Sequence, residues 1–496
     1  MLRKIRITLA IVFFALVSML FLDFTGTIHA WFGWMAKIQF FPAVMALNAG
    51  VIIAVLVLTL LLGRVYCSVI CPLGVFQDIV SWVSARRKHK NRRFSYSKAK
   101  SWLRYAVLIA FVVMAFAGLA GLLDPYSAYG RIAQTLFSPI CFRLYIWCNN
   151  LLAYVSERAG SYAFYEREVW LRALPTLVLA AVTLVVVVIL AWRDGRTYCN
   201  TICPVGTVLG IFSRHALFKP VIDTDICRNC SLCAKGCKAS CIDYKNHKID
   251  YSRCVACMDC IDNCKHDALH FEMRKKSVAS VTAKAADEQK TDASRRSFLV
   301  GAGVILGTAV AHAQGKTVDG GLAVILDKKI PNRNTPIVPP GAVSLKHLED
   351  HCTGCQLCVA VCPNDVLRPG KLMKPHSSYE RGYCRPECTK CSEVCPAGAI
   401  LKITPAEKSS TQIGHAVWVK KNCVPLTDGV ECGNCARHCP AGAITMVASN
   451  PNDEASVKIP VVNEERCIGC GACENLCPAR PFSAIYVEGH EQHKTI

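Results

Sequence analysis

The chain has 496 residues, 52% hydrophobic and 19% charged, with 31 cysteines and a formal net charge of +21. That length allows about three domains, and an odd, grouped set of cysteines in so long a chain argues against the disulfide scaffold of short secreted proteins. Much of the positive charge lies in one loop and one linker beside apolar segments, where it sets membrane orientation; this argues against a nucleic-acid partner.

Four apolar runs, roughly 7–23, 43–62, 103–123 and 173–192, are long enough to cross a bilayer. Arg3, Lys4 and Arg6 precede the first, and the loop 24–42 carries only Lys37. The loop after the second run carries Arg64, Arg86, Arg87, Lys88, Lys90, Arg92, Arg93, Lys98 and Lys100. The positive-inside rule then puts the N-terminus, the 63–101 loop and the chain from residue 193 onward in the cytoplasm. Residues 1–205 read as a four-helix membrane domain.

That domain contains a repeat. "GRVYCSVICPLGVFQDIVS" from Gly63 matches "GRTYCNTICPVGTVLGIFS" from Gly195. Two copies of a two-helix unit often share a site at their interface. Cys67, Cys71, Cys199 and Cys203 would meet there as four thiolates, to hold a metal or cluster or to work as two dithiols. The plainer reading is inert thiols packing helix ends. Either way they are expected at the cytoplasmic ends of the second and fourth spans.

Asp124, in "LLDPYSAYG" at the outer end of the third span, is a candidate proton acceptor, although Asp-Pro also marks a simple helix-terminus turn. Cys141 and Cys148 in the outer loop are placed for a disulfide or for reactive thiols.

Residues 206–273 carry Cys227, Cys230, Cys233 and Cys237, then Cys254, Cys257, Cys260 and Cys264. This is the spacing of a bacterial two-cluster ferredoxin, in which the fourth cysteine of each run serves the other cube. One [4Fe–4S] cluster would take Cys227, Cys230, Cys233 and Cys264, the other Cys254, Cys257, Cys260 and Cys237. Lys238 and Lys265 stand where proline usually follows, and Cys241 is left over.

Residues 274–293 read as a flexible linker. Residues 294–314 contain Ser294-Arg295-Arg296-Ser297-Phe298-Leu299, a short apolar run and Ala311-His312-Ala313, the pattern of an internal twin-arginine signal or anchor. That route carries folded proteins, as a domain assembled around clusters requires. Residues 315–344 read as a second linker before a soluble domain, 345–496, expected in the periplasm.

This last domain has four further runs: Cys352, Cys355, Cys358, Cys362; Cys384, Cys388, Cys391, Cys395; Cys423, Cys432, Cys435, Cys439; and Cys467, Cys470, Cys473, Cys477. Each is followed by proline, and sixteen cysteines serve four cubes with none spare. Structural zinc sites use separated Cys-x2-Cys pairs, so the spacing favours iron–sulfur, six [4Fe–4S] clusters in all. Whether neighbouring or outer runs exchange their fourth cysteine is not fixed by the spacing. No Cys-x-x-Cys-His, dinucleotide fingerprint or P-loop occurs, which argues against attached haem, hydride transfer and nucleotide chemistry.

On these motifs residues 1–273 resemble the NapH family of membrane ferredoxin-type proteins, and 291–496 resemble the NapG/MauM family. The resemblance implies a fusion of the two: an α-helical membrane bundle of four spans in two repeats, an α+β bacterial-ferredoxin-like 2×[4Fe–4S] domain, and a second, four-cluster ferredoxin-like domain. It implies a multi-pass inner-membrane quinol dehydrogenase. Its expected partners are the quinol pool, the twin-arginine export machinery, and a periplasmic cytochrome c or molybdenum reductase, foremost periplasmic nitrate reductase. The four-span core also resembles those of NosR and the copper-reducing CcoG. A redox regulator, a metal reductase, or an electron-transfer or maturation partner of another periplasmic enzyme such as methylamine dehydrogenase therefore stands as the alternative.

Overall fold

The computed structural model describes residues 1–23, 27–86, 94–145, 147, 173–273 and 327–496. The linker 274–293, the twin-arginine segment 294–314, Cys148 and the basic residues 87–93 lie outside the described residues.

In chain order the helical part comprises α1 (Leu2–Leu22), α2 (Ala49–Leu62), α3 (Pro72–Ala85), α4 (Ser101–Phe116), α5 (Pro125–Ile132), α6 (Leu174–Asp194) and α7 (Pro204–Ser213). Two of the four expected spans, α1 and α6, are full-length apolar helices of 21 residues each, about 32 Å at 1.5 Å per residue. The other two are shorter than the sequence suggests. α2 has 14 residues, because the Asn48 side chain caps it by accepting from Val51 N at 3.3 Å and Gly63 ends it with φ 74°. α4 has 16 residues and stops at Ala117, before Gly118 at φ 67°. Their neighbouring turns, Phe40–Met45 and Ala120–Leu122, take up the remaining apolar residues as separate short helices.

The repeat is visible as geometry. After Gly63 and Gly195, both at positive φ, the chain makes a π-helical turn, Tyr66–Ile70 and Tyr198–Ile202. Cys71 (φ −72°, ψ 115°) and Cys203 (φ −71°, ψ 117°) then begin α3 and α7, with Pro72 and Pro204 in the first turn. Proline suits that position, where its missing N–H has no helical partner to lose. The expected boundary at residue 205 falls inside α7.

The ferredoxin-type parts sit at opposite ends of the bundle. At the end called inner here, strands β1 (Phe218–Ile222) and β4 (Leu269–Met273) pair antiparallel, as do the short β2 (Ile242–Asp243) and β3 (Lys248–Ile249). Arg3 at the start of α1 bonds Asp259 at 2.8 Å and Asp262 at 3.0 Å, and Leu217 N donates to Leu60 O of α2 at 2.8 Å. At the outer end stand β5 (Leu367–Pro369), β6 (Pro375–Ser377), β7 (Thr411–Trp418), β8 (Ile444–Asn450), β9 (Asp453–Val462) and β10 (Ile485–Thr495). They pair as β5–β6, β7–β10 and β8–β9, all antiparallel. Thr176 of α6 donates to Met373 Sδ at 3.0 Å, and one hydrophobic core joins Val17 and Phe21 of α1 to Leu357 and Val359.

Residues 327–344, expected as linker, belong to the outer domain. Arg333 donates to Val487 O at 2.7 Å and pairs with the buried Glu474 at 2.5 Å, and Ile337 and Val338 are buried. Proline and polar residues suggested a linker; the buried ion pair and apolar pair override them.

Candidate electron-transfer site

The ferredoxin-type loops have a shared backbone. In each of the four regular Cys-x2-Cys-x2-Cys loops two positions take positive φ: the residue before the second cysteine and the residue after it. These are Asn229 and Ser231, Ala256 and Met258, Gly354 and Gln356, and Gly469 and Gly471. Four of the eight, Ser231, Ala256, Met258 and Gln356, are neither glycine nor asparagine, so the conformation is unfavourable unless something over-determines it. Successive N–H groups in such a curl point into a concavity that suits an anion. A cube ligated by four thiolates is one.

The cavities group the cysteines across the runs. One cavity is lined by Cys227, Cys230, Cys233 and Cys264, and another by Cys237, Cys254, Cys257 and Cys260. The outer domain follows the same rule between neighbours. Cys423, Cys432 and Cys435 share a cavity with Cys477, and Cys467, Cys470 and Cys473 share one with Cys439. Cys395 lies within electrostatic reach of Cys352, Cys355 and Cys358, and Cys362 within reach of Cys384 and Cys391. Among the described residues no three His, Cys, Asp or Glu side chains are gathered to hold a single metal ion. The sulfurs ring small cavities instead, which fits a cube and not zinc.

Cys241, the residue left over, also lines the second inner cavity. Its sulfur lies 3.6 Å from that of Cys237, and it reaches Cys254 as well.

Cys67, Cys71, Cys199 and Cys203 come together as a seventh set. All are buried, at 3–5% exposure, and each acts electrostatically on the others. Their position differs from the expected one. Gly63 and Gly195 lie at the inner end, but the π-helical turns lead the chain back into the bundle. α7 runs ten residues from Cys203 to Ser213, whose hydroxyl donates to Tyr251 O of the inner domain. Cys203 therefore stands about 15 Å inside that end. On the outer side Tyr66 and Tyr198 lie between these thiols and Asp124, and Tyr126 lies between Asp124 and the outer Cys355 and Cys395. The mid-bundle set thus stands between the inner domain and the outer set that contains Cys355 and Cys395.

The mid-bundle set is enclosed by two fully buried arginines from the repeat motif, Arg64 and Arg196. Arg64 Nη2 is 3.8 Å from Cys67 Sγ and donates to Cys199 O at 3.1 Å. Arg196 Nη1 is 3.8 Å from Cys199 Sγ and donates to Cys67 O at 2.7 Å. Gln77 Nε2 adds a donor 3.2 Å from Cys199 Sγ. Arg196 is paired with Asp78, but among the described residues no carboxylate pairs with Arg64, and a buried cation beside four sulfurs calls for negative charge among them, which neutral thiols or two disulfides would not supply. Four thiolates around a cluster would.

Asp124 is 1% exposed and caps α5. Its Oδ2 accepts from Ser127 N at 2.8 Å and Ser127 Oγ at 2.7 Å, while Oδ1 is buried without a hydrogen-bond partner. Cys141 is an exposed free thiol; its expected partner, Cys148, is outside the described residues. In the outer domain Lys328, which the spacing of cysteines gave no reason to notice, donates to Glu474 O, Asn475 O and Cys477 O. Burial and neighbouring Arg480 push its amine down to about 8.

Comparison with known proteins agrees with this chemistry. A 4Fe-4S binding domain model matches residues 45–91 and 174–222, which contain the two halves of the mid-bundle set. Models of 4Fe-4S dicluster domains match residues 351–424 and 430–480. The chain is an iron–sulfur electron-transfer protein. The ferredoxin-type protein NapF of Escherichia coli is 27% identical over 176 residues, 35% of this chain and 99% of the relative. The methylamine utilization ferredoxin-type protein MauM of Methylobacillus flagellatus is 30% identical over 152 residues, 29% of this chain and 64% of the relative. The putative electron transport protein YccM of Escherichia coli is 23% identical over 237 residues, 47% of this chain and 58% of the relative. No solved structure matches.

Proposed function

We propose that this protein is a membrane-embedded electron relay of the quinol dehydrogenase kind, holding clusters at seven four-cysteine sets. The reading rests on one observation: the mid-bundle set stands between the inner and outer ferredoxin-type domains. Bound there, iron–sulfur clusters supply one-electron storage between the two domains. A bundle without that set would leave the two ends a full helix length apart.

The chain's own residues do the rest. Cys-lined loops fix each centre, α1 and α6 enclose the middle one in apolar side chains, and Arg64, Arg196 and Gln77 donate around it. Asp124 is the proposed acceptor of a quinol proton, at the unpartnered Oδ1. In this reading α1 and α6 cross the inner membrane with the shorter helices packed between them. Residues 206–293 are cytoplasmic and 315–496 periplasmic, carried there by the twin-arginine machinery as part of a NapH-like and NapG/MauM-like fusion. Electrons would leave to a periplasmic cytochrome c or molybdenum reductase, most simply periplasmic nitrate reductase.

Burial of all four mid-bundle thiols weighs against direct reduction of copper by them. The test is to add a quinol analogue to membranes containing the full chain and follow bleaching of the iron–sulfur absorbance, with Cu(II) turnover measured beside it. Bleaching by quinol supports the reading. Copper reduction with quinol untouched would replace it with a metal reductase.

A further inference from the structure

The repeat is symmetric around its cysteines but not around its arginines. Aligning the two copies sets Gln77 opposite Leu209 and Asp78 opposite Gly210. In the first copy Asp78 takes the Arg196 guanidinium, with Oδ1 2.8 Å from Nε and Oδ2 2.7 Å from Nη2. Arg6 at 3.2 Å and Lys238 at 3.2 Å complete that cluster. The second copy has no acid in the corresponding place. A side chain at Gly210 would meet Arg104 Nη2 and Ser252 O, each at 2.6 Å from its Cβ. Arg64 therefore bonds neutral oxygens, Asn200 Oδ1 at 2.9 Å, Ser252 O at 3.1 Å and Cys199 O, beside the Cys67 sulfur at 3.8 Å, and its Nε has no partner. Among the described residues no carboxylate pairs with it.

A fully buried, uncompensated guanidinium beside a ligand sulfur acts on whatever charge the four sulfurs enclose. A cation at this distance in a low-dielectric interior stabilises the more negative state of its neighbour. The reduced centre carries one more negative charge than the oxidised one. Ser252 O, two residues before Cys254, brings the same guanidinium toward the adjoining inner set, so Arg64 stands between two centres, closer to the mid-bundle one.

We infer that Arg64 is the residue that sets the mid-bundle centre's potential, raising it, and that the Asp78/Gly210 difference between the repeats leaves Arg64 unneutralised for that purpose. Arg64 is a positioning and tuning residue, not a catalytic one. The inference rests on the proposal that the four cysteines hold a cluster.

The test is a redox titration of the full-length protein, following the paramagnetic signal that disappears in Cys71→Ser. Arg64→Gln lowers the midpoint of that signal, Arg64→Lys largely restores it, and Asp78→Asn shifts it upward by freeing Arg196. Iron and sulfide content are measured on each variant. An assembled centre whose midpoint is the same in Arg64→Gln and wild type overturns the inference, as does a downward shift in Asp78→Asn. The two variants move the potential in opposite directions, so a failure of one to assemble leaves the other to decide. If no signal is lost in Cys71→Ser, the cluster reading itself fails, a result distinct from an unchanged midpoint.

Discussion

Lys238 Nζ lies 3.2 Å from Asp78 Oδ1 and 2.8 Å from Asp259 Oδ2. Lys238 follows the cluster cysteine Cys237 and occupies the place where ferredoxins have proline. The substitution joins the inner domain to the bundle. Asp78 gathers Arg6, Arg196 and Lys238, while Asp259 takes Lys238 and Arg3.

Removing that hub takes the acid from Arg6 and Arg196 and leaves Lys238 only Asp259. Asp78→Ala should destabilise the joint between domain and bundle by on the order of 3–5 kcal/mol, the cost of breaking a buried pair from one side. Limited proteolysis of the inner domain in detergent checks it: Asp78→Ala should be cut faster than wild type. Lys238→Met, which removes a cation and leaves each acid another partner, should show the smaller effect.

The outer contact depends on close backbone approach. A Cβ at Gly130 would strike the carbonyl oxygen of Cys355 and the Phe21 ring, and one at Gly121 the carbonyl of Thr353. Gly130→Val should displace the outer domain while leaving its cysteine sets intact. The expected result is normal iron content with slow electron exchange between inner and outer centres, read by rapid-freeze spectroscopy after one-sided reduction.

Much of this was legible in the sequence. The inner ligand exchange follows from spacing, and the cavities group the same cysteines. The repeat motif brought Cys67, Cys71, Cys199 and Cys203 to notice as a set. Their depth was not legible, because hydropathy marks where a helix ends but not that a π-helical turn sends the chain back inside. Pairing in the outer domain needed the fold, since the gaps before Cys388 and Cys432 depart from the regular spacing. Arg64 and Arg196 stood within the quoted motif. In sequence they read as loop charge, and only their burial against Cys67 and Cys199 shows otherwise.

Acid should loosen the outer domain. His376 and His493 are both held down to about 4 from 6.5, each mainly by burial, with Arg368 and Arg333 adding to it at His376 and His490 at His493. Burial disfavours their protonated forms, so the unfolded chain binds more protons between those values. Stability should be full above about pH 6.5 and fall toward pH 4. Thermal melts across that window check this, and His376→Gln should flatten the fall.

Lys328 fixes the first described residues of the outer domain to the turn that carries Cys473 and Cys477. Lys328→Met removes three donated hydrogen bonds and leaves carbonyls of Glu474, Asn475 and Cys477 without that donor. Glu474 O keeps Ser483 Oγ at 3.0 Å and Cys477 O keeps Arg480 Nη1 at 2.7 Å, so the main loss is at Asn475 O, about 1–3 kcal/mol for a buried group left unmet. The expected outcome is loss of iron from the two sets containing Cys473 and Cys477, measured by iron release on warming, with the inner sets unaffected.

The central claim is that electrons cross the bundle by way of the mid-bundle cysteines. The most direct measurement uses sealed vesicles containing the full chain, an impermeant reductant outside and a trapped impermeant one-electron acceptor inside. The account predicts that the acceptor is reduced by wild type and not by Cys71→Ser or Cys203→Ser, whose inner and outer sets still fill with iron. Equal rates in wild type and both variants, or no crossing in fully loaded wild type, would contradict it.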